Sequence, residues 1–250
     1  MWGTVVSFNF PEQGVDKKVI DKLLTNSITY LHEIDAIFST YKENSEVSRI
    51  RRGDLEISDA SDLVRHVWRL CEVARDLTEG AFDPFQERLG GFDPSGYVKG
   101  WAADQLAQMA FDIGVKRLHI NAGGDLTLRG GLDEVRPWMI GIQHPKKAGS
   151  IAAVLPIRDG AVASSGTYER GAHIYDASNG SIAIGALATS VYGPDGGVAD
   201  ALATALMVAG RDGAHWFRKP ELADYGCWVV NRHEETTWSI RWPEQQQAKR

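Results

Sequence analysis

The sequence predicts an α+β fold: a single domain in which N-terminal helices pack on a largely antiparallel sheet. Three observations predict it. Apolar residues recur at helical spacing before Gly114. Short β-rich runs separated by turn clusters follow from Val115. No fixed-period repeat and no linker divides the chain. Its 250 residues fit one large domain, expected over residues 1–243, with 244–250 as a polar tail.

Residues 2–10 are rich in β-branched and aromatic types and read as a strand. Val19, Ile20, Leu23, Leu24, Ile28, Leu31, Ile34 and Phe38 share one face of a helix that ends near Tyr41, and a charged loop to Asp54 is expected next. Ser58 and Asp59 offer N-caps for a second helix, with Leu63, Val64, Val67, Trp68, Cys71, Ala74 and Leu77 inward and Gly80 as its stop. A third helix is expected from near Gly100, with Gly114 at its C′ position. Strands are expected at 115–120, 126–128, 138–143, 152–157 and 172–175. A helix at 198–209 and strands near 227–231 and 238–242 close the chain.

Composition narrows the function classes. The net charge of −6, without a long Lys/Arg block, argues against a nucleic-acid partner, which needs a basic face for phosphate. Cys71 and Cys227 are the only cysteines, which excludes a disulfide framework and a multi-cysteine metal site. No apolar run approaches the roughly 20 residues that span a bilayer, so membrane insertion is not expected. The N-terminus shows no basic region, signal core or lipid-attachment cysteine, and a cytoplasmic location is expected. The unusual number is 26 glycines, clustered toward the middle of the chain.

Five constellations could carry chemistry. Asp93-Pro94-Ser95-Gly96 through Lys99-Gly100 opens a helix, where free N–H groups, close backbone approach and a lysine suit phosphate; a capped helix with an exposed lysine reads the same way. Asn121-Ala122-Gly123-Gly124-Asp125 reads as a hairpin turn and lacks the dinucleotide fingerprint. Asp200 and Thr204 lie four apart on one helix face and offer hard oxygen ligands of the kind Mg²⁺ takes, although a helix-entry acid and a core threonine would look alike. Ser164 to Arg170 leads into His173, a possible general base with Asp176 to orient it, or a structural histidine. Phe38 to Tyr41 and Gly80 to Pro84 carry aromatics that either stack on flat rings or fill the core at helix ends.

In this order the motifs resemble the FAD:protein FMN transferase family, the ApbE-like flavin transferases, from Gly3-Thr4 to about Gly210. The resemblance is carried by Phe38-Ser39-Thr40-Tyr41 with Ser45 to Arg49, Ala81 to Pro84, Asp93 to Asp104, and Asn121 to Asp125. Trp138 with Gly141 to Gln143, Ser165-Gly166 with Tyr168, His173 to Asp176, and Asp200 to Thr204 complete it.

The resemblance implies an α+β, T-fold-like architecture, FAD as substrate and Mg²⁺ on its diphosphate. It also implies transfer of FMN through a phosphoester to a Ser or Thr of an acceptor protein, with AMP leaving. By position, Asp200 and Thr204 would bind Mg²⁺ with backbone oxygens near Gly96 and Ala203. Tyr41, Ala81, Phe82, Asp83, Asp93, Lys99 and Tyr175 would line the FAD site. Trp2 stands just before Gly-Thr, where the family has Met, and could stack on the flavin or adenine. Lys99 would stabilise developing charge and His173 would handle the proton. A FAD pyrophosphatase yielding FMN and AMP, and a non-catalytic FAD-binding protein, are the alternatives.

Overall fold

The computed structural model describes residues 4–11, 14–166, 174–176, 179–232 and 236–243. Nine strands form two sheets among these residues. Seven of them pair antiparallel throughout, in the order β1-β2-β3-β6-β7-β8-β9. They are β1 (Val6–Asn9), β2 (Leu118–Ala122), β3 (Asp125–Arg129), β6 (Gly160–Gly166), β7 (Ala186–Gly193), β8 (Gly226–Asn231) and β9 (Thr237–Ile240). The remaining two, β4 (Trp138–Gln143) and β5 (Ile151–Ile157), form a separate antiparallel pair.

Alternation along the strands sends side chains to two cores. Leu118, Ile120 and Ala122 of β2, Val191 of β7, and Cys227 and Val229 of β8 join the helices in the larger core. Leu126, Leu128, Val162, Tyr192 and Trp228 face the other way, against Trp138, Ile140, Ile142, Leu155 and Ile157 of the small sheet. The layers are therefore helices, main sheet and β4–β5 pair.

The first helix, α1 (Lys17–Phe38), is N-capped by Asp16. The charged stretch before Asp54 is not all loop, because α2 (Glu46–Arg51) forms there. Ser45 caps it, with its hydroxyl accepting from the Ser48 N–H at 2.9 Å. Six residues are too few to show periodicity, so only the cap signals this helix. Next, α3 (Asp62–Leu77) is capped by Ser61 and not by Ser58 or Asp59, which lie in a short 3-10 turn at Ile57–Asp59.

The following helix, α4 (Ser95–Asp112), starts five residues before the expected Gly100. Pro94 sits at its cap position, and Gly96 bends its first turn with ψ 15°. The last α-helix, α5 (Gly196–Ala209), is capped by Asp195 and almost wholly buried between α4 and the sheet. Strands β6 and β7 are not among the expected ones: β6 is mostly Ala, Ser and Gly, and in β7 Thr189, Val191 and Tyr192 are interspersed with small residues. The predicted strand at 172–175 falls partly outside the described residues, and Tyr175 makes an isolated bridge with Ile182. The predicted tail, 244–250, lies outside them as well.

Helices α4 and α5 cross with backbone against backbone. A methyl group on Gly100 would fall on the Gly196 carbonyl, and one on Gly196 would lie 2.7 Å from the Gly100 carbonyl oxygen. Gly197 faces the ring of buried Tyr97, where a methyl would sit 2.5 Å from Cε1. Only glycine allows this approach. Gly100→Ala must separate two helices in a close-packed core and is expected to cost about 3 kcal/mol. Thermal unfolding should then fall by roughly 6–12 °C for a domain of this size.

Candidate active site

The first turns of α4, the face of α5 that carries Asp200 and Thr204, and the ends of β2, β3 and β6 meet the loop after α3 at one open cleft. It holds about 220 Å³ and is lined by Phe82, Gly96, Lys99, Asp125, Asp200 and Thr204, among others.

The loop is pinned from several sides. Thr78 Oγ1 accepts from the Phe82 N–H at 3.2 Å and donates to the Ala74 carbonyl at 2.9 Å. Phe85 stacks on Phe92 with centroids 5.6 Å apart, and Trp68 of α3 lies 4.6 Å from each ring. Arg51 of α2 donates to the carbonyls of Gly91 and Phe92 at 3.4 Å. Asp83 pairs with Arg75 at 3.3 Å and accepts from the Phe85 N–H at 3.0 Å. Asp93 accepts from the Ser95 N–H at 3.0 Å and so serves the first turn of α4.

Lys99 is the electrostatic centre. Its ammonium is ion-paired with Asp125 and lies 2.8 Å from Asp200 Oδ2. Both carboxylate side chains are 5% exposed. Burial works against the charged lysine. Asp125 and then Asp200 outweigh it and hold its pKa above the ordinary lysine value. One ammonium between two carboxylates leaves these three groups net negative.

Beside them, a Cβ on Gly96 would lie 3.4 Å from Thr204 Oγ1 and 3.2 Å from the Phe82 ring, so backbone, hydroxyl and aromatic converge there. Among the described residues no three His, Cys, Asp or Glu side chains form a metal-binding group. The oxygen-only donors and the lysine already held as a cation do fit a hard divalent ion. Such ions are commonly held by one or two carboxylates, with hydroxyl, carbonyl and ligand oxygens completing the shell.

Asp104 fixes the two helices behind the site. Its carboxylate accepts from the Gly196 N–H at 2.6 Å and from Thr127 Oγ1 at 2.8 Å, with Arg129 at 3.6 Å. Burial pushes its pKa up, and the hydrogen bond from the Gly196 N–H opposes this.

The structure brings together most of the residues singled out by sequence. Ala81, Phe82, Asp83, Asp93, Gly96, Lys99, Tyr175, Asp200 and Thr204 all line the cleft. Two do not. Tyr41 is 89% exposed and outside the lining; its N–H donates to Ser39 Oγ at 3.2 Å. Ala203 is fully buried, and its carbonyl accepts from the Thr189 hydroxyl at 2.8 Å. Trp2 and His173 lie outside the described residues. Asp125 was not singled out as a site residue. It directly follows the Gly123-Gly124 turn, where both φ values are positive, and that turn aims the first residue of β3 into the cleft. Ser164, Ser165 and Gly166 enter from the end of β6, which only sheet order brings beside β3.

Glu79, just before the cleft loop, adopts φ 54°, uncommon for a residue with a side chain. His215 Nε2 lies 3.0 Å from each Glu79 oxygen, and Lys219 Nζ lies 3.2 Å away. Hydrogen bonds to the Asp212 carbonyl and to Glu79 raise the His215 pKa above 6.5, while His215 and Lys219 hold Glu79 below 4.5. The histidine contribution is therefore complete below about pH 6.5 and fades as pH rises through the raised value. The glutamate contribution fades as pH falls below about 4.5. His215→Asn should lower the melting temperature relative to the parent between those limits and converge with it in alkali, as read from paired melting curves across pH.

Residues 2–91 and 85–225 match the sequence profile of the ApbE family. The chain is 33% identical over 262 residues to the FAD:protein FMN transferase of Escherichia coli strain K12, covering 80% of this chain and 75% of that protein. The protein of the same name from Haemophilus influenzae is 26% identical over 279 residues, covering 85% and 80%. Among solved structures, the flavin transferase ApbE of Vibrio cholerae gives a TM-score of 0.78 at 21% identity, over 94% of this chain and 92% of that one. The apo flavinyl transferase ApbE of Pseudomonas stutzeri gives 0.79 at 21% identity, over 96% and 91%. The antiparallel α+β architecture is thus shared with these proteins. The chain belongs to the ApbE family.

Proposed function

We propose that this chain is an FAD:protein FMN transferase: it cleaves FAD and joins FMN through a phosphoester to a Ser or Thr of an acceptor protein. The observation that carries the reading is the buried Lys99 ammonium between Asp125 and Asp200, beside Thr204 and the first turn of α4. That grouping would suit a diphosphate together with a divalent cation, and it occurs in a chain related to proteins of that name. Mg²⁺ would be held by Asp200 and Thr204, with backbone oxygen at Gly96, and supplies charge neutralisation on the diphosphate. The Ala203 carbonyl, the other backbone oxygen assigned to the ion, accepts from the Thr189 hydroxyl and keeps one lone pair for it.

In this reading the acceptor hydroxyl oxygen forms a bond to the FMN phosphorus of FAD, and the bond from that phosphorus to the bridging oxygen breaks. The electron pair leaves with AMP. Lys99 offers a positive charge toward the oxygens that gain negative charge. Phe82 and Tyr175 offer ring faces to the flavin or adenine, and Ala81, Asp83 and Asp93 shape the remaining wall. His173 is assigned to take the hydroxyl proton, with Asp176 orienting it. Its neighbours Ile174 and Tyr175 line the cleft.

The test combines the protein, FAD, Mg²⁺ and an acceptor protein bearing a flavinylation site. The acceptor should gain the mass of FMN with stoichiometric AMP. Asp200→Asn, or chelation of the metal, should slow this by about 10²–10³-fold while circular dichroism stays unchanged. FMN and AMP appearing at full rate without acceptor, and no mass gain with it, would replace the transferase by a hydrolase. No helix among the described residues is long and apolar enough to cross a membrane.

A further inference from the structure

We infer that Asp125 is a positioning residue that receives the whole Lys99 ammonium when Asp200 takes up a divalent cation. The inference rests on the metal reading above and deepens it.

As the chain stands, Lys99 is shared: it pairs with Asp125, and it lies 2.8 Å from Asp200 Oδ2. A lysine hydrogen-bonded to that oxygen fills one of its acceptor directions. A divalent cation on the same carboxylate would meet a like charge in a largely water-excluded place, where repulsion is strong. Lys99 must therefore give up Asp200, and a buried ammonium left without a carboxylate is costly.

Asp125 removes that obstacle. It belongs to the sheet and not to α5, so cation uptake on α5 need not disturb it. Asp125 opens β3 opposite Ala122, and its Oδ1 also faces the Ser164 N–H at 3.4 Å. Its other oxygen, Oδ2, already holds the ammonium. The lysine stem has four flexible carbons and needs only a small swing to shift fully onto Asp125. One ion pair is then traded for another, and no buried charge loses its partner. Asp125 sets cation affinity through Lys99 without itself being a ligand.

The test is a double-mutant cycle on cation binding, read without turnover. Mn²⁺ is titrated into wild type, Asp125→Asn, Lys99→Met and the double variant in the absence of FAD, with free Mn²⁺ measured by its electron paramagnetic resonance signal. Asp125→Asn should weaken Mn²⁺ binding by about tenfold or more, the range for residues that support a metal ligand from outside. Lys99→Met should not weaken it. In the Lys99→Met background, Asp125→Asn should have little further effect, because no ammonium needs a home. A merely structural role would not produce that coupling.

Wild-type affinity in Asp125→Asn overturns the inference. So does a loss that persists undiminished in the Lys99→Met background, which would make Asp125 a direct ligand. Absence of Mn²⁺ binding by the wild type would overturn the metal reading itself, and the inference with it. Melting curves accompany each variant; Asp125→Ser and Lys99→Gln replace any that does not stay folded at the assay temperature.

Discussion

The site depends on one steric constraint: the backbones of α4 and α5 touch where Gly100 meets Gly196 and Gly197. Without side chains at the crossing the two helix backbones come into direct contact. The Gly96 backbone consequently lies beside the Thr204 hydroxyl, and Lys99 reaches Asp200. Asp104 secures the contact at its rim by accepting from the Gly196 N–H and tying it to Thr127 on β3. Helix pair and sheet are thereby fixed relative to one another by a few small or polar groups.

Charge then gives the crossing a purpose. Two carboxylates on separate elements, one on β3 and one on α5, converge on a lysine from α4. In a largely buried place such convergence is unfavourable unless a cation sits among them, and Lys99 supplies it. The acidic balance of the whole chain excludes a broad phosphate-binding face. It says nothing against one local site built from a helix start, a lysine and oxygen donors. On the opposite wall, Trp68, Phe85 and Phe92 pack together beneath the loop that carries Phe82 and Asp83.

Local signals in the chain account for much of this. The α1 and α3 stripes, Gly114 as a helix stop with φ 88°, and the Gly123-Gly124 hairpin are all written in short-range pattern, and the structure contains them, except that Ile28 of the α1 stripe faces solvent while Ser27 takes the buried place beside it. The short α2 and the exact start of α3 are hard to read because several capping residues stand within a few positions: Ser58 and Asp59 fall in a 3-10 turn, and Ser61 caps α3. Strands β6 and β7 are hard to read because Ala, Ser and Gly, which have little intrinsic strand preference, make up most of β6 and dilute Thr189, Val191 and Tyr192 in β7. They are strands because neighbours on both sides complete their hydrogen bonds.

By itself, the sequence determined the fold class, the family resemblance and the list of oxygen donors, since these reside in residue type, order and spacing. Only the tertiary structure decided which donors meet. It put Asp125 at Lys99 and left Tyr41 facing solvent, and it turned the Ala203 carbonyl toward Thr189. The physical reason is that Asp125 and Asp200 stand 75 residues apart and are joined through a lysine on a third element. A sequence pattern can place a side chain on a helix face or at a turn. Which faces touch is fixed by the few glycines that permit close approach and by the order of strands in the sheet.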